Sequence, residues 1–182
     1  GVEQAKSAEL INRPAEIQAG DGFERHCPAL PHAHEPQIGE PEASSALLDQ
    51  RDFRGYVRES WTEADWRLYR WIYARLAEEV DSDIQLILDA LKESGQEQNT
   101  LVIFSSDHGD MDSAHRMEHK TALYEESANV PFIAMWKGHI PAGVVNSNDL
   151  VSTGLDSLPT AADYAGNPNA NADPRGRSLR PL

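Results

Sequence analysis

The chain has 182 residues, 40% of them hydrophobic and 25% charged, enough for one domain or slightly more with a sizeable buried core. Its formal net charge of -14 excludes nucleic acid and anionic membrane surfaces as default partners, because both demand a basic face. A single cysteine, Cys27, rules out an intrachain disulfide, and no apolar run reaches transmembrane length.

Residues 1–60 read as an irregular, proline-rich segment. Pro14, Pro28, Pro31, Pro36 and Pro41 punctuate it, with Gly20, Gly22 and Gly39 between them. A structureless stretch of this length is uncommon inside a domain, and it is expected to pack onto a surface outside this chain.

Residues 61–182 carry regular elements. Thr62, Glu63, Ala64 and Asp65 fit a capping box. Apolar residues then recur at Leu68, Ile72, Leu76, Val80, Ile84, Ile87, Leu88 and Leu91, which predicts one long helix closed by Gly95, with one face covering a sheet. Residues 100–104, TLVIF, and 130–136, VPFIAMW, read as buried strands of a parallel sheet. A short helix over 120–127 between them completes a βαβ unit. Asp156, Ser157, Leu158 and Pro159 predict a further helix start, ending near Gly166, and residues 167–173 read as a loop.

Ser105, Ser106, Asp107, His108, Gly109 and Asp110 follow the first strand directly. In open α/β sheets ligands bind beyond the carboxyl ends of strands, so Asp107 and His108 are candidate metal ligands by position. Carboxylate oxygen suits Ca²⁺, Mg²⁺ or Mn²⁺, and imidazole accepts several transition metals. A turn capped by its own aspartate explains the same residues. His115, Arg116, His119 and Lys120 then form a cationic cluster. A metal ion opposed by a lysine is what a tetrahedral anion needs as charge develops on its oxygens. A solvated basic loop is the bland alternative. His115 to His119 also spells H-x-x-E-H, a zinc-peptidase pattern, but without the amphipathic helix that pattern requires.

Four blocks, in order and spacing, resemble the type I, formylglycine-dependent sulfatases: residues 100–110 (TLVIFSSDHGD), 120–127 (KTALYEES) with Val130, Pro131 and Phe132, 150–156 (LVSTGLD) with Leu158, Pro159 and Thr160, and 176–182 (GRSLRPL). The resemblance implies an alkaline-phosphatase-like α/β fold, a three-layer sandwich on a mixed, largely parallel central sheet, of which residues 61–182 are the C-terminal half of the catalytic domain. It implies metal-dependent hydrolysis of a sulfate ester, whether of a small molecule or a sulfated glycan. Asp107 and His108 are then ligands of a divalent metal, usually calcium. Lys120 contacts the sulfate group, and His115 lies beside the same pocket.

The departures are specific. The formylglycine of this family arises in a Cys/Ser-x-Pro-x-Arg motif. Around Cys27 the proline sits one place early and no arginine follows, and at Ser157 the arginine position holds Ala161. The first carboxylate pair of the metal site is also missing. The chain therefore reads as a fragment, inactive alone. A phosphodiesterase or phosphonate monoester hydrolase of the same superfamily is the nearer alternative, and a non-catalytic interaction domain the more distant one. Export is common in such a family, but nothing in these residues fixes the compartment.

Overall fold

A computed structural model describes residues 21–36, 38–39, 46, 52–120, 122–168 and 175–180. The chain divides into two units: residues 1–83 with 109–128, and residues 84–108 with 129–182.

Among the described residues of the first unit, α1 (Asp21–His26) and α2 (Asp52–Ser60) precede the long helix. This corrects the reading of residues 1–60 as irregular throughout. Both helices occupy stretches free of proline, and the prolines at 28, 31 and 36 break the chain between them. Pro14, Gly20 and Pro41 lie outside the described residues.

Helix α3 (Glu63–Glu93) follows the predicted boundaries closely. Its cap is reciprocal. Thr62 Oγ1 accepts the Asp65 backbone N–H at 3.3 Å, and Asp65 Oδ2 accepts the Thr62 backbone N–H at 2.9 Å. Gly95 ends it at φ 71, with its N–H on the Lys92 carbonyl.

The start of α3 builds the core of the first unit. Trp66 is 1% exposed, inside a cage of edge-on rings from His34, Trp61 and Tyr69. Leu68 packs with Cys27, Phe23, Trp71 and Ile72. Arg67 ties down the segment after α1. Its guanidinium lies over the Phe23 ring, makes a two-pronged pair with Glu24, and donates to the Cys27 and Pro28 carbonyls. Farther along α3, Leu76, Val80, Leu86 and Ile87 are more than half exposed, so the predicted apolar face is not uniformly covered.

The second unit holds β1 (Val102–Ser105) and β2 (Phe132–Met135). They pair antiparallel, Val102 opposite Met135 and Ser105 opposite Phe132. The local βαβ reading is therefore corrected. A β-branched apolar run encodes a strand but not its direction. Among the described residues the connection carries as α-helix the single turn α4 (Glu125–Ala128), not a full crossover helix over 120–127. Phe104, Ile133 and Met135 are also partly exposed rather than buried. Trp136 closes β2, its indole donating to the Gln98 carbonyl and its ring packing on Tyr164.

Helix α5 (Thr153–Tyr164) starts one turn before the prediction. Asp156 is not the cap. It lies inside the first turns and reaches back to accept the Ser152 N–H at 2.9 Å. One face of α5 then holds the segment 175–180. Asp156 accepts the Arg177 backbone N–H, Thr160 Oγ1 accepts the Leu179 N–H, and Asp163 takes the Ser178 hydroxyl and the Arg180 guanidinium. Positions 156, 160 and 163 share that face because of the helical repeat. Pro181, Leu182 and most of the predicted 167–173 loop lie outside the described residues. Among the described residues no helix is long and apolar enough to cross a membrane.

Candidate functional site

The exit of β1, in the second unit, carries Asp107 and His108. Ser105 Oγ donates to the Pro131 carbonyl of the β2 approach at 2.8 Å, anchoring the strand end. Ser106 Oγ donates to the His108 carbonyl at 2.6 Å, which folds the chain into a turn. That turn sends the Asp107 carboxylate outward, 80% exposed, with Oδ1 3.4 Å from His108 Nε2. One carboxylate and one imidazole, adjacent and reachable from solvent, suit a divalent cation but supply too few donors to surround one. Among the described residues no three His, Cys, Asp or Glu side chains gather as a metal cluster. The donor pair fits a metal as part of a larger ligand set.

Gly109 begins a separate stretch, in the first unit. Its N–H donates to the Ser127 carbonyl at 2.8 Å, beside α4. The chain then coils through residues 110–119, where Asp112, Ser113, His115, Arg116 and His119 all take positive φ. Each such non-glycine residue costs on the order of 1–3 kcal/mol and persists only where its surroundings fix it. The surroundings are dense. Met111, Ala114, Met117 and Ala122 form a buried cluster with Ala33 and Tyr124 against it. His34 Nδ1 meets the Ser113 carbonyl at 2.7 Å, and the His115 N–H donates to the Ala33 carbonyl at 2.7 Å.

His115 is 3% exposed, stacked on the Tyr124 ring at 4.1 Å between centroids, with Nε2 3.9 Å from Glu126 Oε2. Its Nδ1 and the Tyr124 hydroxyl are buried without a hydrogen-bond partner among the described residues. His119, by contrast, is largely exposed, and neither residue sits on an α-helix. The H-x-x-E-H spacing therefore never becomes one helical face, and the zinc-peptidase reading falls. Lys120 follows at the surface.

Two residues of α3 that sequence reasoning passed over hold this loop. Tyr69 donates to Asp110 Oδ1 at 2.9 Å, and the same oxygen accepts the Asp112 N–H at 2.8 Å. Arg70 grips Asp112 Oδ2 through Nε and Nη2, both at 2.9 Å. Burial and then the Asp110 charge push the Tyr69 phenol well above its ordinary range, while the His119 backbone N–H reaching the phenol oxygen works against the rise. The only sequence trace of this role is the placement of polar Tyr69 and Arg70 beside the apolar stripe.

Comparison with known proteins gives this geometry a family. The family model described as Sulfatase matches residues 31–167. The chain belongs to the sulfatase family. Arylsulfatase K of Homo sapiens is 38% identical over 122 residues, 67% of this chain and 22% of that protein. The endo-4-O-sulfatase of Bacteroides thetaiotaomicron is 36% identical over 105 residues, 57% of this chain and 20% of that protein. The chain thus spans about a fifth of the length of these sulfatase relatives. A solved structure of a 2-O GAG sulfatase superposes with a TM-score of 0.77 at 29% identity, covering 85% of this chain and 34% of that one. The phosphonate monoester hydrolase of Silicibacter pomeroyi superposes at 0.57 with 27% identity, covering 81% of this chain and 30% of that one. The fold is that of the alkaline-phosphatase-like α/β hydrolases, as the sequence resemblance implied. An antiparallel pair is compatible with a mixed sheet of this kind. Sulfatases as a family work with a divalent metal ion and a formylglycine.

Proposed function

We propose that this chain contributes metal donors and a sulfate-binding lysine to a sulfuric ester hydrolase, residues 61–182 forming the C-terminal half of its catalytic domain. The observation that carries the reading is the Asp107–His108 pair, a carboxylate and an imidazole 3.4 Å apart at the mouth of β1, within the segment matched to sulfatases.

Asp107 and His108 would hold the divalent metal together with donors from outside the described residues. When bound, the metal supplies positive charge for the sulfate oxygens. Calcium is the favoured ion, since the exposed Asp107 carboxylate is a hard oxygen donor, with Mg²⁺ and Mn²⁺ as alternatives. Lys120 offers a compact ammonium with three N–H donors to the non-bridging oxygens, where charge grows in the transition state. His115, buried against Tyr124, lines the same loop and excludes water from its inner side. The nucleophile is not among these groups. Cys27 is 3% exposed and packed with Leu68, so it is not placed to attack a bound ester.

The ester is that of a sulfated sugar. Relatives at similar identity carry names such as endo-4-O-sulfatase and N-acetylglucosamine-6-O-sulfatase. A phosphonate or phosphate ester is the second reading, favoured by the phosphonate monoester hydrolase neighbour. The test is turnover by the polypeptide encoded in the complete reading frame around these residues. Hydrolysis of an aryl sulfate, lost in Lys120→Ala, supports the reading. Turnover of a phosphonate monoester with none of the sulfate overturns it.

A further inference from the structure

The loop that ends in Lys120 is too strained to hold itself. Five of its residues between 112 and 119 have positive φ without being glycine. Its two ends meet. The Met111 N–H donates to the His119 carbonyl at 2.8 Å, so Asp110 and Lys120 flank a closed ring of chain.

At the base of that ring stands Tyr69, from a stretch of α3 some 41 positions earlier in sequence. Its hydroxyl donates to Asp110 at the entry of the ring, next to Met111, whose N–H closes the ring on the His119 carbonyl. One phenol thereby holds the entry, and the Met111–His119 bond passes that hold to the exit. One helical position on, Arg70 holds the left-handed Asp112. The two side chains leave neighbouring residues of a rigid helix whose next turn back, at Trp66, is fully buried. The pin is thus fixed to the core of the first unit and not to another loop.

We propose that Tyr69, seconded by Arg70, is a positioning residue for Lys120: its hydroxyl locks the entry of the 110–119 loop, to which the Met111–His119 bond ties the exit, and so fixes where the lysine ammonium is presented. This rests on the assignment of Lys120 as the sulfate contact. Tyr69 does not touch substrate. It acts through Asp110, and it removes a freedom that sulfate would otherwise have to quench on binding.

The test compares the 182-residue chain with Tyr69→Phe, which keeps the ring and loses the hydroxyl, and with Arg70→Gln as an independent loosening of the same loop. Amide hydrogen exchange and the response of the Lys120 amide signal to inorganic sulfate are read by NMR on each protein. In Tyr69→Phe the Met111, Ala114 and Met117 amides should exchange about tenfold faster, as expected for one lost hydrogen bond to a charged group. The Cys27 amide, bonded to the Phe23 carbonyl in the same unit, should not change. The sulfate response should weaken in both variants. Unchanged loop amides, or a rise shared equally by Cys27, overturns the pin. A loosened loop with a sulfate response equal to wild type overturns the positioning role. If the loop loosens but the wild type itself ignores sulfate, the assignment of Lys120 falls while the pin stands.

Discussion

Gly109 and Glu126 approach so closely that a Cβ built on the glycine would lie 2.0 Å from the Glu126 carbonyl oxygen. The obstacle is backbone, not a flexible side chain, so it cannot swing aside. Glycine between His108 and the left-handed loop is therefore a packing requirement, set by the Gly109 N–H bond to Ser127. Gly109→Ala must push the two segments apart. The expected cost is about 1–3 kcal/mol or more, as for other overpacked sites, read from urea unfolding. A variant as stable as the wild type would contradict the close approach.

Removing Asp107 tests the donor pair without any need for turnover. Calorimetric titration with Ca²⁺ should show affinity falling by at least roughly tenfold in Asp107→Ala, the loss typical of even an outer-shell partner. Because Asp107 is 80% exposed and makes no core contact, its removal should leave the melting temperature nearly unchanged. Equal Ca²⁺ affinity in both proteins would sink the assignment.

The alkaline limb of stability should carry the signature of Tyr69. Its folded phenol titrates above the ordinary value of 10.0, so above that pH the unfolded chain loses a proton that the native state keeps. Stability is fully present below pH 10.0 and falls as pH rises beyond it. Tyr69→Phe removes that contribution, and its stability curve should be flatter above pH 10.0, as measured by denaturant midpoints.

Acid should act on the other unit. The Ser178 hydroxyl and then Arg180 hold the Asp163 carboxyl below its ordinary 3.8, and Asn146 and Arg177 do the same for Asp149. Both contributions are present above pH 3.8 and are lost as pH falls through the lowered values. The 175–180 segment should therefore loosen on α5 in acid before α5 itself melts. Amide signals of Ser178 and Arg180 should broaden first. Simultaneous loss of helix and segment would contradict the clasp.

The cap of α3 gives a stability test at its most exposed point. Thr62→Ala removes both the acceptor for the Asp65 N–H and the hydroxyl donor to its carboxylate, and should cost about 0.5–2 kcal/mol by thermal or urea unfolding. Thr62→Ser should restore most of it.

The sequence by itself determined whatever rests on near neighbours. The capping box at Thr62 and the apolar spacing after it placed α3 because each signal acts within a turn or two of helix. The apolar run 100–104 placed a strand, and the residues just beyond it put Asp107 and His108 at its mouth. The motif blocks, read in order, gave the family before any coordinates. The tertiary structure decided what depends on direction and on distant partners. Residues 102–105 look the same whether their neighbour runs parallel or antiparallel, so the pairing with 132–135 could only be observed. Asp156 carries the same oxygen whether it caps a helix or reaches back from inside it. His115 and His119 share a helical spacing, yet left-handed backbone buries one and exposes the other. Above all, the support of the 110–119 loop comes from Tyr69 and Arg70, roughly forty residues away along the chain, and closing so long a separation leaves no local pattern to read.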